Sequence, residues 1–263
     1  MKILGTVLLA TTLFAGNALA QDSDSWDWKI APYLWTVGID GQLTIGEINQ
    51  DLDVSFSDIL SDFDVGGSLY GEVGKGRHAF HIDYTYVRLK PDDTALPTPP
   101  FPMDSTLSTK MTINIFEPAY HLALNDAETV EFVVGARYLD IEMRMTPNVT
   151  APAPPVQPPV EPPFPDSPVE VGPSWWDYFL GIKTNHPISA NWDFGFYGTI
   201  GTGESEQPWT LQAVFGRRFS NDNRLGLGFR IWSIDYSNFE GIQNQFTRID
   251  TKFYGLLIGY EFN

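Results

Sequence analysis

The 263-residue sequence contains no cysteine, which excludes disulfide-stapled scaffolds, cysteine-based zinc sites and thiol catalysis. Basic residues are scarce, with 16 Lys and Arg against 33 Asp and Glu and a formal charge of −17. Such a chain is a poor partner for nucleic acid, whose phosphates demand Lys and Arg. Charged residues of either sign reach only 19 %. Beyond the first twenty residues there is no run of eighteen uninterrupted apolar side chains, so no helical membrane span is expected. Aromatic side chains are plentiful (18 Phe, 11 Tyr, 8 Trp), and so are Gly (23) and Pro (20). That much buriable surface argues against disorder despite the charge. The length fits one barrel or sandwich, or two small domains.

The N-terminal residues read as an address. Met1-Lys2 precedes the apolar run Ile3 to Phe14, and Asn17-Ala18-Leu19-Ala20 has the small-residue form that signal peptidase cleaves. The expectation is a Sec signal over 1–20 and a single domain over 21–263. An exported chain without apolar helices can cross lipid only as a closed barrel, which satisfies every backbone group internally.

Sixteen of the 20 prolines fall in two stretches, Pro91 to Pro102 and Pro147 to Pro173. Proline cannot donate to a strand ladder, so both stretches are expected as polyproline-like loops outside any sheet. Around them the chain divides into ten segments with period-two alternation: 28–38, 65–74, 78–89, 108–122, 129–142, 175–184, 192–202, 209–219, 225–236 and 247–262. Connections at 39–64, 90–107 and 143–174 are long, whereas Lys75 to Arg77, 123–128, 185–191 and 220–224 are short. Long loops on one side and short turns on the other is the plan of an all-β, antiparallel, up-and-down transmembrane β-barrel. Ten strands are expected, with eight or twelve as alternatives if the first loop or the 203–208 turn is misread.

The alternation supports this plan. Phe80, Ile82, Tyr84 and Tyr86 share one face of the third segment, and His81, Asp83 and Thr85 share the other. In the ninth, Leu225, Leu227, Phe229 and Ile231 oppose Gly226, Gly228 and Arg230. Trp26, Trp28, Trp175, Trp176, Trp192 and Trp209 lie at segment ends, where an interfacial girdle places amphipathic rings. Two segments fit less well. Pro32 sits inside the first, and Asn114 in the fourth falls on the side of Phe116 and Tyr120; a bulge near Glu117-Pro118 is expected to repair the latter.

In the last segment Tyr254, Leu256, Ile258, Tyr260 and Phe262 point one way. This resembles the C-terminal signature of outer-membrane barrels that the barrel-assembly machinery reads, except that Asn263 follows the final aromatic. Three further motifs, Pro32-Tyr33-Leu34-Trp35, Gly38-Ile39-Asp40-Gly41 and Asp53-Val54-Ser55-Phe56-Ser57-Asp58-Ile59-Leu60, are similar to those of a group of uncharacterised Gram-negative outer-membrane proteins. The resemblance covers mainly the first ninety residues and the last strand. It implies a barrel in the outer membrane, in contact with lipid and lipopolysaccharide, and it implies no activity.

The inward faces collect polar side chains of both signs: Glu72, His81, Asp83, Glu117, His121, Glu131, Arg137, Asp177, Lys183, Arg218, Arg230 and Glu261. In a lumen this narrow, opposite charges are expected to pair as a structural plug. A narrow passage for small solutes is the second reading, and an outer-membrane hydrolase or acyltransferase the third. Against the third, the four histidines avoid the long loops, and no nucleophile elbow is present. The acidic first loop (Asp40, Glu47, Asp51, Asp53, Asp58, Asp62, Asp64) could bind divalent ions but matches no EF-hand template. Within it, 41–56 is a candidate extracellular hairpin extending strands one and two, and Ser57 to Asp64 a short helical turn. No cofactor is expected.

Overall fold

The computed structural model describes residues 26–45, 48–95, 105–148, 169–238 and 247–262. The expected signal over 1–20, Asn263, Glu47 and the middles of both proline-rich stretches lie outside the described residues. The elements are β1 (Asp27–Ile45), β2 (Ile48–Val54), α1 (Phe56–Asp62), β3 (Phe63–Lys75), β4 (His78–Leu89), β5 (Thr94–Ala95), β6 (Thr106–Ala123), β7 (Val130–Asn148), β8 (Val169–Val171), β9 (Ser174–Ser189), β10 (Trp192–Gly203), β11 (Trp209–Arg218), β12 (Arg224–Asn238) and β13 (Thr247–Glu261).

Ten of these strands form a closed antiparallel barrel. Its order is β1-β3-β4-β6-β7-β9-β10-β11-β12-β13, and β13 pairs back onto β1 from Tyr33↔Gly259 to Ile45↔Thr247. They correspond one to one with the ten alternating segments. Most of them run further than alternation alone indicates, past the apolar band and beyond its rim. β1 continues to Ile45, where β2 folds back on it (Ile39↔Val54 to Ile45↔Ile48), so residues 39–45, expected as loop, are strand. The hairpin in the first loop is therefore built by β1 itself with β2. β7 extends to Asn148 and contains Pro147. β5 and β8 form within the stretches expected to exclude sheet. These pieces lie where a strand lacks a partner on one side, and there a missing N–H is tolerated.

Proline also explains the two irregular segments. The ladder from β6 to β7 skips Glu117 and the donorless Pro118, yet Phe116↔Tyr138 and Ala119↔Gly135 keep one register. The expected bulge is absent. Asn114 stays on the outer face, where it accepts from Tyr84 Oη (2.9 Å) and donates to Asp140 (3.2 Å). Pro32 interrupts the closing seam: Ile30 bonds Phe262 in both directions (3.0 and 2.8 Å), and continuous pairing resumes at Tyr33.

The outer wall is a continuous apolar surface. Leu34, Leu69, Leu180, Ile200, Leu227 and Leu256 are each at least half exposed, a cost of several kcal/mol in water that lipid would remove. Tyr254 and Ile258, expected on this face, are outward and exposed as well. Trp26, Trp28, Trp176 and Trp192 are exposed near the rims, but Trp175 points inward and is 1 % exposed. On the seam between β1 and β3 pairing stops at Tyr33↔Ser68. Above it α1 covers the wall, with Ile59 buried against an apolar recess lined by Trp35, Val37, Phe63, Val87 and Phe253.

Candidate functional site

The interior has two layers, which follow from where each strand places its inward residues. On the long-loop side they are mainly apolar: Leu139 (β7), Trp175 (β9), Trp232, Ile234 and Tyr236 (β12), and Ile249 and Phe253 (β13) form one buried cluster, with Thr247 and Thr251 buried on the same face of β13. Trp175 stacks on Tyr236 with centroids 4.1 Å apart, and Trp232 stacks on Phe253 at 5.3 Å. Val37, Ile39, Ile113, Ile115 and Ile141 pack around them. Asp177 belongs to this layer and stands apart from the other charged candidates. It accepts from the backbone N–H of Ser205 (2.9 Å) and from Trp175 Nε1 (3.2 Å), fixing the turn between β10 and β11.

On the short-turn side the inward residues are polar and surround a cavity of about 280 Å³. The structure brings eleven of the twelve inward polar candidates, all but Asp177, to this half of the barrel, in connected groups. Glu72 accepts from Lys29 Nζ (2.7 Å), from Lys183 Nζ (2.7 Å) and from the Tyr70 hydroxyl. Lys183 also lies 3.4 Å from Glu131. Glu131 in turn bonds His121 Nδ1 (2.6 Å), and His121 Nε2 bonds His81 Nδ1 (2.5 Å). Arg137 pairs with Glu117 through Nε (2.6 Å) and a second guanidinium nitrogen, and Tyr197 Oη donates to the other Glu117 oxygen (2.8 Å). Asp83 accepts from Tyr33 Oη at 2.8 Å and lies 3.4 Å from Arg230. Arg230 Nε donates to Gln212 (2.7 Å). At the rim Asp193 holds Arg224 (2.6 Å) with Arg218 3.9 Å away, and Glu261 lies 4.0 Å from Arg224.

Charge is thus compensated residue by residue, as a low-dielectric interior requires. Some pairs join neighbouring strands, as Lys29 with Glu72 and Arg137 with Glu117 do, and so help to lock barrel register, whereas Glu72–Lys183 and Asp83–Arg230 reach across the lumen between strands that do not pair. His81 and Asp83, adjacent on one face, do not engage each other; their partners come from β6, β1 and β12. His186, expected in a turn, is exposed on β9. Tyr33, Tyr70 and Tyr197 complete the network without having been singled out, because tyrosine in an alternating pattern reads equally well as lipid-facing. Lys29, Asp193, Gln212 and Arg224 were missed too. The sequence signal for the first was the spacing Lys29-x-Ala31-x-Tyr33-x-Trp35, a polar-ended face opposite Trp28, Ile30 and Leu34.

The acidic first loop is dispersed. Asp58 caps α1, Asp64 bonds Arg88 (2.6 Å), and Gln42 donates to Asp51 (3.0 Å). Among the described residues no three His, Asp or Glu side chains are grouped to hold a metal ion.

Neither a protein-family model nor a curated protein sequence matches this chain. Solved structures do. The chain is similar to the outer membrane protease OmpT from Escherichia coli, with 7 % identity over 94 % of this chain and 99 % of that one, at a TM-score of 0.49. It is also similar to Neisserial surface protein A (10 % identity, 90 % and 97 % covered, TM-score 0.30). A third similar structure is the Pseudomonas putida toluene transporter TodX (8 % identity, 91 % and 90 % covered, TM-score 0.27).

Proposed function

We propose that this chain is an outer-membrane β-barrel of Gram-negative type that does not conduct. In this reading it is exported by the signal over residues 1–20 and inserted by the barrel-assembly machinery, which reads Tyr254, Leu256, Ile258, Tyr260 and Phe262. Its wall contacts lipid and lipopolysaccharide, and its long loops present an acidic, proline-rich surface to the exterior. The role is structural or one of surface interaction, with no catalytic step.

The observation that carries the reading is the apolar layer between the cavity and the loops. Leu139, Trp175, Ile234 and Tyr236 are each at most 2 % exposed, and side chains packed as in a core leave little room for water between them. A conducting pore would need polar side chains continuing through that layer. Reconstitution into planar bilayers tests this. The refolded protein is expected to give no steady current, and a stable ohmic conductance would establish a channel instead.

A further inference from the structure

The cavity below the apolar layer contains more polar atoms than the protein satisfies. Seven buried side-chain N or O atoms among the described residues lack a hydrogen-bond partner, and five of them line this one cavity: Trp35 Nε1, Trp232 Nε1, His81 Nε2, Thr210 Oγ1 and Asn185 Oδ1. Trp232, His81 and Thr210 are at most 3 % exposed. Buried polar groups are ordinarily paired, so an accumulation of orphans around one space marks a place built for a partner.

The chemistry of the orphans defines that partner. An indole N–H only donates, and an amide oxygen only accepts. With His121 Nδ1 donating to Glu131, a neutral His121 accepts at Nε2 from His81 Nδ1. His81 Nε2 faces Glu117 Oε1 at 3.6 Å, an arrangement that suits a donor there, so the acceptor on the wall is Asn185 Oδ1. Thr210 can serve either way. A ligand that answers all five must both donate and accept. A carboxylate or phosphate offers acceptors alone, and an ammonium group donors alone; hydroxyl groups offer both. The fixed charges around the space already compensate one another, which leaves no net charge to be matched by an ion. The rings of Tyr33 and Trp35 lie against Arg230 and that of Trp232 against Arg137 and Phe253, which leaves Tyr197 as the lining aromatic beside which the C–H side of a sugar or cyclitol ring can lie. Glycines supply the room: a Cβ at Gly195 would meet nothing closer than 3.5 Å.

We propose that the cavity is a binding site, open at the short-turn rim, for a neutral polyhydroxylated solute of about one ring. This goes beyond the non-conducting reading and is independent of it, since the site has one mouth and needs no passage to the loops.

The test is equilibrium binding by calorimetry of refolded protein in a sugar-free detergent. D-glucose and myo-inositol serve as probes, with sodium acetate and methylammonium chloride as charged counterparts. Saturable binding of a polyol is expected. Trp232→Phe, which keeps a ring and removes the N–H, should weaken it about tenfold, the worth of one buried hydrogen bond. Gly195→Leu, which fills the space, should abolish it. Gel mobility of unboiled samples reports folding of each variant, and Gly195→Ala replaces Gly195→Leu if the larger side chain prevents it. Absence of saturable polyol binding would overturn the proposal. So would binding that both variants leave unchanged, or preference for acetate or methylammonium.

Discussion

Arg137 and Glu117 are each about one-tenth exposed at the side chain, so neither charge can be abandoned without penalty. Removing one partner of a buried pair typically costs about 3–5 kcal/mol, whereas replacing both by apolar groups is often neutral. Arg137→Met should therefore lower the urea midpoint for unfolding from lipid vesicles substantially. Adding Glu117→Leu to the same chain should recover most of the loss. Backbone proximity sets a second residue-scale limit. A Cβ at Gly255 would lie 1.8 Å from the Thr36 carbonyl oxygen across the closing seam, whereas one at Gly67 would meet nothing within 4 Å. Gly255→Ala should leave most of the protein unfolded in a refolding assay read by gel mobility, and Gly67→Ala should fold as the parent does. At this scale, alternation marked Glu72, Asp83, Arg137 and Arg230 as inward because a charge cannot face lipid. It could not say which carboxylate meets which cation, because Glu72 faces Lys29 across the β1–β3 pair while Lys183 reaches it from β9 across the lumen.

Strands were legible wherever a lipid-facing side chain alternated with a lumen-facing one. Legibility weakened above the apolar band. The hairpin expected over 41–56 anticipated β2, but β5 and β8 are short and pair at or beyond the rim, where neither face is required to be apolar. The two-layer lumen was not legible either. Ile113, Leu139 and Ile234 point inward, and in a β-pattern an inward isoleucine is indistinguishable from an outward one. Helix α1 was more visible, because Ser55 and Asp58 form a capping box: Asp58 N–H reaches Ser55 Oγ, and Ser55 N–H reaches Asp58 Oδ2 at 3.0 Å. These hydrogen bonds from Ser55 hold the Asp58 carboxyl below the usual carboxylate range. A depressed folded-state pKa contributes stability that is fully present above the unfolded value, near about 3.9, and is lost as pH falls through the folded value. Amide protection factors in α1, which allow for the intrinsic pH dependence of exchange, should accordingly fall on acidification below that range, and Asp58→Asn should remove most of this change. The plug has its own test at this scale. Truncating a fully packed aromatic costs about 3–5 kcal/mol, so Trp175→Ala should destabilise the barrel by that order in urea titrations.

At the scale of the whole molecule, the absences noted in the sequence become properties of a barrel. The chain needs no disulfide because ten strands close on one another, and it needs no apolar helix because the strands carry an apolar outer face. Prolines crowd the connections on one side only. The formal charge of −17 belongs largely to loops and rims, since the lumen charges compensate in place. A closed barrel resists detergent at room temperature, so unboiled protein should migrate ahead of boiled protein on a denaturing gel. Equal mobility together with full solubility without detergent would argue for a soluble sandwich.

The missing cysteines also allow the most direct test of orientation and location. Ser61 in α1 and Ser220 in the turn between β11 and β12 are both exposed, at opposite ends of the barrel. Ser61→Cys and Ser220→Cys would each carry a single thiol, to be labelled with a membrane-impermeant maleimide on intact Gram-negative cells producing the full chain. The account predicts that Ser61→Cys labels on intact cells and that Ser220→Cys labels only after the outer membrane is permeabilised. Labelling of Ser220→Cys on intact cells, or protection of Ser61→Cys there, would contradict it.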